Sequence, residues 1–252
     1  MAVGEASRGL ITWRIRRFDT IDSTNRFVLD AARRGVGEGL VVVADHQDAG
    51  RGRRGRSWTA PPGSSLLVSV LLRPRVDAER AQLVTMATAV ALAEAVERVA
   101  GFVPGLKWPN DVVVGDRKLA GLLAEADVSA RGEVRAVVVG AGCNVQWESF
   151  PPELATIATA CNLEAGHDVD RDALLTALLD RLSVRVSDLE HVVDDYRARV
   201  TTLGRRVRVD LGDRVVEGAA TDVDAAGRLV VATASGVDHV IAAGDVIHLR
   251  PA

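Results

Sequence analysis

The order of apolar and polar positions along the chain predicts alternating strands and helices in two unlike halves. Residues 14–18 alternate as a half-buried strand does, and "DSTNRFVLDAARRG" then carries Phe27, Val28, Ala31 and Ala32 on one helical stripe. Asp22, Ser23 or Thr24 caps that helix, and Gly35 stops it. Residues 40–44 and 66–72 are continuous apolar runs, the pattern of strands buried on both faces. Residues 79–100 form a long helical pattern ending at Gly101. "LKWPNDVVV" and "RKLAGLLAEADV", joined by a Gly115-Asp116 turn, read as a strand pair, and "VRAVVVGAGCNV" as a further strand. After Asn144 come irregular chain and a short helix, then one long helix over 170–200. From Leu203 onward, short strands between turn signals at 211–213, 225–227, 235–236 and 243–245 predict a small β-barrel. The expectation is an α+β protein, with a mixed-sheet domain over 1–202 and an all-β domain over 203–252.

Composition narrows the class. Hydrophobic residues at 48% and charged residues at 26% fit a globular fold and exclude disorder. A net charge of −3 supplies no global basic field, so any anion must be held locally. The N-terminal stretch has no apolar core of a signal peptide, and the most apolar long window, 83–100, is interrupted by Glu94 and Glu97. Cys143 and Cys161 alone make neither a disulfide framework nor a metal cluster, and the five histidines lack metal spacing. These features predict a soluble cytoplasmic protein.

Of the 31 lysines and arginines only Lys107 and Lys118 are lysine, and both fall in "KWPNDVVVGDRK". Where arginine serves almost everywhere, two lysines in one segment mark places that need a compact charge on a flexible stem.

"GRGRRGRSW", residues 50–58, matches two nucleotide motifs by letter. As G-x-G-x-x-G it follows a strand, but no helix opens after it, because Ser57-Trp58-Thr59 runs into Pro61-Pro62-Gly63. The same absence removes the P-loop reading, which also needs a lysine where Arg56 stands. An RGG-type tail belongs in low-complexity chain, not just after a buried strand. What remains is a loop of a folded domain whose glycines allow close backbone approach and whose arginines offer forked donors to phosphate or carboxylate. Four crowded arginines repel one another, so the loop is expected to be mobile until an anion orders it. "KWPND" adds rigid apolar Trp108 and Pro109, polar Asn110 and Asp111, and cationic Lys107, a set suited to a nucleotide and metal site.

In this order and spacing "DSTN", "GRGRRGRSW", "KWPND", "RKLAGLL" and "GAGCNV" resemble the biotin protein ligases, over roughly residues 19–145 with weaker support to the C-terminus. The resemblance implies a catalytic domain similar to class II aminoacyl-tRNA synthetases and a small C-terminal SH3-like β-barrel. It implies an ATP-dependent ligase that makes biotinyl-5′-AMP with Mg²⁺ and passes the acyl group to one lysine of a biotin carboxyl carrier domain. Implied for biotin are Ser23, Thr24, Asn25, Gln47, Arg51, Gly52, Arg53, Lys118 and Gly121. Implied for ATP or the adenylate are Arg54, Arg56, Trp58, Lys107, Asn110, Asp111, Asn144 and Arg250. Lys118, Arg53 and Asp111 are the implied catalytic set, with Asp111 as base toward the carrier lysine. Family members that repress transcription carry an N-terminal helix-turn-helix; only about ten residues precede the first strand here, so no DNA binding is expected. A monomer or a homodimer fits equally. Lipoate or octanoate ligases and transferases of the same superfamily are the nearest alternative, and an RNA-binding module using the arginine loop is the alternative from another class. Cys143 stands where the family's strand more often has a β-branched residue, and is expected to pack rather than react.

Overall fold

The computed structural model describes residues 11–249. In chain order the first elements are β1 (Arg14–Ile21), α1 (Thr24–Arg33), β2 (Leu40–Gln47), β3 (Ser65–Leu72), α2 (Gln82–Ala100), β4 (Gly105–Lys107), β5 (Asp111–Val114), β6 (Arg117–Val128) and β7 (Val134–Asn144). Three helices follow: α3 (Cys161–Ala165), α4 (Arg171–Ser187) and α5 (Val192–Arg197). The chain ends in β8 (Arg206–Asp210), β9 (Val215–Val223), β10 (Leu229–Ala232), β11 (Asp238–Ile241) and β12 (Asp245–His248).

The first seven strands form one sheet in the order β1-β2-β3-β7-β6-β5-β4. Only β1 and β2 run parallel; every other neighbouring pair is antiparallel. The side-chain period of two splits the apolar runs between two cores. Val41, Val43, Val68, Val70, Val137 and Val139 pack toward α2 and α4, whereas Val42, Leu71, Ala136 and Val138 pack under α1. Both faces are covered, which explains why β2 and β3 read as unbroken apolar runs. Helix α2 lies between the sheet and the α4–α5 layer, and from Leu83 to Ala93 it is buried on every side and carries no charge. Ser23 is the N-cap of α1, its side chain accepting from Arg26 N–H. Among the described residues no helix is long and apolar enough to cross a membrane.

Three expectations change. The helix expected over 170–200 is two, α4 and α5, broken at 188–191. Neither glycine nor proline marks the break. It reorients α5 so that Val192, Val193 and Tyr196 reach the same core as the α4 stripe. "LKWPNDVVV" is likewise not one strand. It folds back on itself as β4 and β5, with Lys107 opposite Asp111 and the turn made by Trp108, a cis Pro109 and Asn110. The C-terminal strands make an open five-stranded antiparallel sheet, β11-β10-β9-β8-β12, rather than a closed barrel. Its two edge strands are four residues each and do not pair. At the β12 edge, Gly244 and Asp245 meet the arginine loop of the first half instead.

The small sheet is joined to the first half through the interior. Trp108 Nε1 donates to Gly227 O (3.0 Å), and Trp108 N donates to Thr202 Oγ1 (3.1 Å). Val207, Val209 and Val231 belong to the same apolar cluster as α2.

Candidate active site

A cavity of about 330 Å³ opens on the α1 face of the sheet, past the N-terminus of that helix. Its floor is β6 and β7, one wall is the N-terminus of α1 with Gln47, and another is the 51–58 loop with the β4–β5 turn. The far rim is Asp210, Asp245, Val246 and Ile247 of the small sheet.

The closed end is a network of small polar groups, nearly all buried. Ser23, Thr24 and Asn25 are 2%, 3% and 4% exposed, and Ser69 is fully buried. Gln47 Oε1 accepts from Thr24 N–H at 2.7 Å, and its Nε2 takes no hydrogen-bond partner among the described residues. Asn25 fits here only because residue 140 is glycine: a Cβ there would stand 2.2 Å from Asn25 Oδ1. The floor beside it is bare for the same reason. Gly121 and Gly142 lie opposite each other on β6 and β7, and a Cβ on Gly142 would come within 2.5 Å of the Trp58 ring that covers them. Trp58 Nε1 is buried without a partner, and Lys118 Nζ sits 5.7 Å from the ring centroid.

The open end is charged. Lys118 Nζ is 2.6 Å from Asp111 Oδ1, a close ion pair that lacks the alignment of a hydrogen bond. Lys107 has no carboxylate in salt-bridge reach among the described residues, and burial pulls its ammonium pKa down. Burial lowers the Arg53 guanidinium too, although Asp245 and Asp111 oppose the shift. Arg53 donates to Asn110 Oδ1 (3.0 Å) and to Gly244 O (3.5 Å). The other loop arginines already hold protein carboxylates. Arg51 pairs with Glu125 at 2.8 Å, Arg56 pairs closely with Asp245, and Arg54 reaches both Asp245 (3.5 Å) and the Asp210 carbonyl (3.0 Å).

Contacts within the protein order the loop. Arg51 and Ser57 bridge its stem, Gly52 N–H donates to Arg56 O, and a single 3₁₀ turn spans Arg53–Gly55 with Arg54 left-handed at φ 53°. Mutual repulsion of the four arginines is answered by acids from β6 and the small sheet, a source of order that the loop's own letters do not contain.

Most sequence-predicted site residues come together. Ser23, Thr24, Asn25, Gln47, Arg51, Gly52, Arg53, Arg56, Trp58, Lys107, Asn110, Asp111, Lys118 and Gly121 all line the cavity. Arg54 does not, since it turns to the small sheet. Neither does Asn144. Its amide donates to Thr159 O (3.0 Å) and accepts from Ser65 Oγ inside the protein, so it braces the end of β7. Asn110 lines the wall with both ends of its amide occupied, by Arg53 and by Leu122 O, and so positions Arg53. Arg250 lies outside the described residues. Sequence reasoning missed Gly140, Gly142, Asp210 and Asp245; the alternate small residues of "GAGCN" were a signal for the first two, and nothing local marked the acids. Cys143 is fully buried between strands and packs.

No group of three or more potential metal ligands occurs among the described residues. Asp111 is the only carboxylate that the first half brings to the cavity wall. That fits Mg²⁺ carried on phosphates with one protein carboxylate, and not an all-protein metal cage.

Residues 17–144 match the Biotin/lipoate A/B protein ligase family, and 202–249 match the Biotin protein ligase C terminal domain. The chain is 38% identical over 239 residues to a biotin–[acetyl-CoA-carboxylase] ligase of Mycobacterium tuberculosis, covering 90% of this chain and 86% of that protein. It is 31% identical to a bifunctional ligase/repressor of Bacillus subtilis, covering 89% of this chain and 71% of the other. Among solved structures, the biotin protein ligase of Aquifex aeolicus in complex with biotin and ATP superposes with a TM-score of 0.80 at 27% identity, covering 94% of this chain and 99% of that one.

Proposed function

The chain belongs to the biotin/lipoate A/B protein ligase family and is a biotin–protein ligase; on that premise we propose that it activates biotin as biotinyl-5′-AMP and passes the acyl group to one lysine of a biotin carboxyl carrier domain. In this reading 1–202 is the catalytic unit and 203–252 its C-terminal partner, and the enzyme works in the cytoplasm.

The observation that carries the reading is the division of the cavity into a small, neutral, hydrogen-bonding end and a cationic end. A ureido ring needs donors and acceptors in a closed pocket, and Gln47 Nε2 with the Thr24 hydroxyl offers both. Its carboxylate must then approach an α-phosphate, anion against anion. Lys118, Lys107 and Arg53 stand there to neutralise both, by positioning and charge stabilisation. A carboxylate oxygen attacks the α-phosphorus and the bond to pyrophosphate breaks. The carrier amine then attacks the acyl carbon, AMP departs, and Asp111 takes the amine proton once Lys118 has turned to the substrate. Mg²⁺, when it arrives with ATP, supplies further charge neutralisation on the phosphates, and Asp111 is the residue to hold it. Trp58 covers the joint between the two ends. Arg51, Arg54 and Arg56, each paired with a protein carboxylate, hold the loop.

Purified protein with ATP, biotin and a carrier domain is expected to label the carrier, read on a streptavidin blot. Labelling by lipoate but not biotin, or salt-sensitive RNA affinity indifferent to ATP plus biotin, would overturn the reading.

A further inference from the structure

Glu125, outside the cavity wall and in none of the motifs above that named a role, terminates a chain of hydrogen bonds that begins at the closed end. One amide orientation of Asn25 satisfies its surroundings. Its Nδ2 donates to Glu125 Oε2 (3.0 Å) and Leu123 O (3.1 Å), both of which can only accept. Asn25 Oδ1 must therefore receive the Ser69 hydroxyl proton, at 2.7 Å. Ser69 has a single proton, so its 2.8 Å contact with Thr24 Oγ1 requires Thr24 to donate. The contact with Gln47 Oε1 is longer, at 3.0 Å, and a proton turned to it would leave the Ser69 and Thr24 oxygens 2.8 Å apart with no proton between them. With its proton held by Ser69, Thr24 Oγ1 has only lone pairs to show the cavity. The other oxygen of Glu125 accepts from Arg51 Nη2 at 2.8 Å, so both carboxylate oxygens act as acceptors.

We infer that Glu125 is a specificity-determining positioning residue: through Asn25 and Ser69 it fixes the polarity of the Thr24 hydroxyl, so that this end of the cavity accepts from a ligand N–H and selects cyclic ureas over ring systems without that donor. The Arg51 pair ties the same carboxylate to the entry of the loop, so ring selection and loop seating share one anchor. The inference rests on the ligase reading and adds the residue that sets its ring specificity. Its physical basis is that a buried network is oriented by its one charged end.

Calorimetric titration of the full chain with biotin, and with the analogue in which one ureido N–H is replaced by a ring oxygen, tests it. Wild-type protein is expected to bind biotin and to reject the carbamate analogue. Glu125→Gln, whose amide can donate back to Asn25, is expected to weaken biotin about ten- to a hundredfold and to shrink the preference over the analogue. Glu125→Asp is expected to restore part of the preference. Ser69→Ala cuts the chain while leaving the Glu125–Arg51 pair, and is expected to lose the preference even if Glu125→Gln does not fold. Wild-type preference in folded Ser69→Ala, or in folded Glu125→Gln, would overturn the inference while the ligase reading stands. Failure of the wild-type protein to bind biotin would instead sink the ligase reading.

Discussion

The two ends of the cavity are built on opposite principles. At the closed end Thr24, Asn25 and Ser69 are buried, and with half-buried Gln47 they are neutral and committed to one another at 2.7–3.0 Å, on a floor made bare by glycine. At the open end the groups are charged and partly exposed, and two of their carboxylates, Asp210 and Asp245, come from the separate small sheet that begins at Arg206. Desolvated neutral hydrogen bonds read shape and polarity, because an unmade one is costly. Screened ion pairs are individually weak and exchange readily for a substrate anion. On the proposed reading the difference is a division of labour: the closed end would choose the ring, and the open end would gather and release charge.

The sharpest break falls at the joint between them. Lys118→Arg keeps the charge but replaces a compact ammonium with a planar fork beside Asp111 and Trp58. Pyrophosphate release is expected to fall on the order of a hundredfold, with biotin binding retained. An unchanged rate would mean that the charge alone matters.

Gly140→Ala attacks the closed end by steric means alone. The new methyl meets Asn25 Oδ1 and Ser69 Oγ, at 2.2 and 3.2 Å if nothing moves. Overpacking of this kind costs about 1–3 kcal/mol of stability. Thermal melts and biotin titration should both register it, whereas ATP binding should not.

Protonation probes the seam that holds the open end in place. His248 accepts or donates at Thr202 Oγ1 (3.2 Å), and Thr202 in turn receives Trp108 N–H, so His248 sits behind the β4–β5 turn. Burial, with Lys107 and Arg205 nearby, holds its pKa down at about 4. A folded-state pKa below the unfolded value of about 6.5 means the unfolded chain binds the extra proton first. Its contribution to stability is complete above pH 6.5 and declines as pH falls toward 4. Unfolding free energy measured across that window should fall by roughly 2 kcal/mol, and His248→Gln should flatten the decline.

The smallest effect is expected where pairs are most exposed. Asp245→Asn releases Arg56, whose side chain is 69% exposed, while Arg54 keeps its bond to the Asp210 carbonyl. Denaturation should shift by less than about 1 kcal/mol. The KM for ATP should then move by less than about tenfold, downward, as Arg56 on the cavity wall becomes free for phosphate. A large loss of stability would show that the small sheet is latched on through this pair rather than through Trp108 and Gly227.

How far the chain's letters reach differs along it. The strands over 40–44 and 66–72, observed as Leu40–Gln47 and Ser65–Leu72, and the capped first helix follow from period and capping, which are local. "LKWPNDVVV" was readable as strand but not as a turn around Trp108, because the reversal is set by pairing with β6 and by Trp108 reaching Gly227. The break in the 170–200 helix has no local mark either; a shared core with α2 draws α5 aside.

The sequence by itself determined which residues meet at the cavity's first half, since motifs on neighbouring strands and turns must meet once their strands pair. It also determined the family, through five ordered motifs. Tertiary structure alone decided which of those groups are free to act. Arg54 and Arg56 are held by Asp245 and Asp210, Arg51 by Glu125, and Asn110 is occupied by Arg53, leaving, among the described residues, Lys107 without a carboxylate in salt-bridge reach and Arg53 with neutral hydrogen-bond partners. A side chain's identity is local, but its partner is chosen by whatever the fold brings within a few ångströms, and electrostatic and hydrogen-bond capacity depend on the partner.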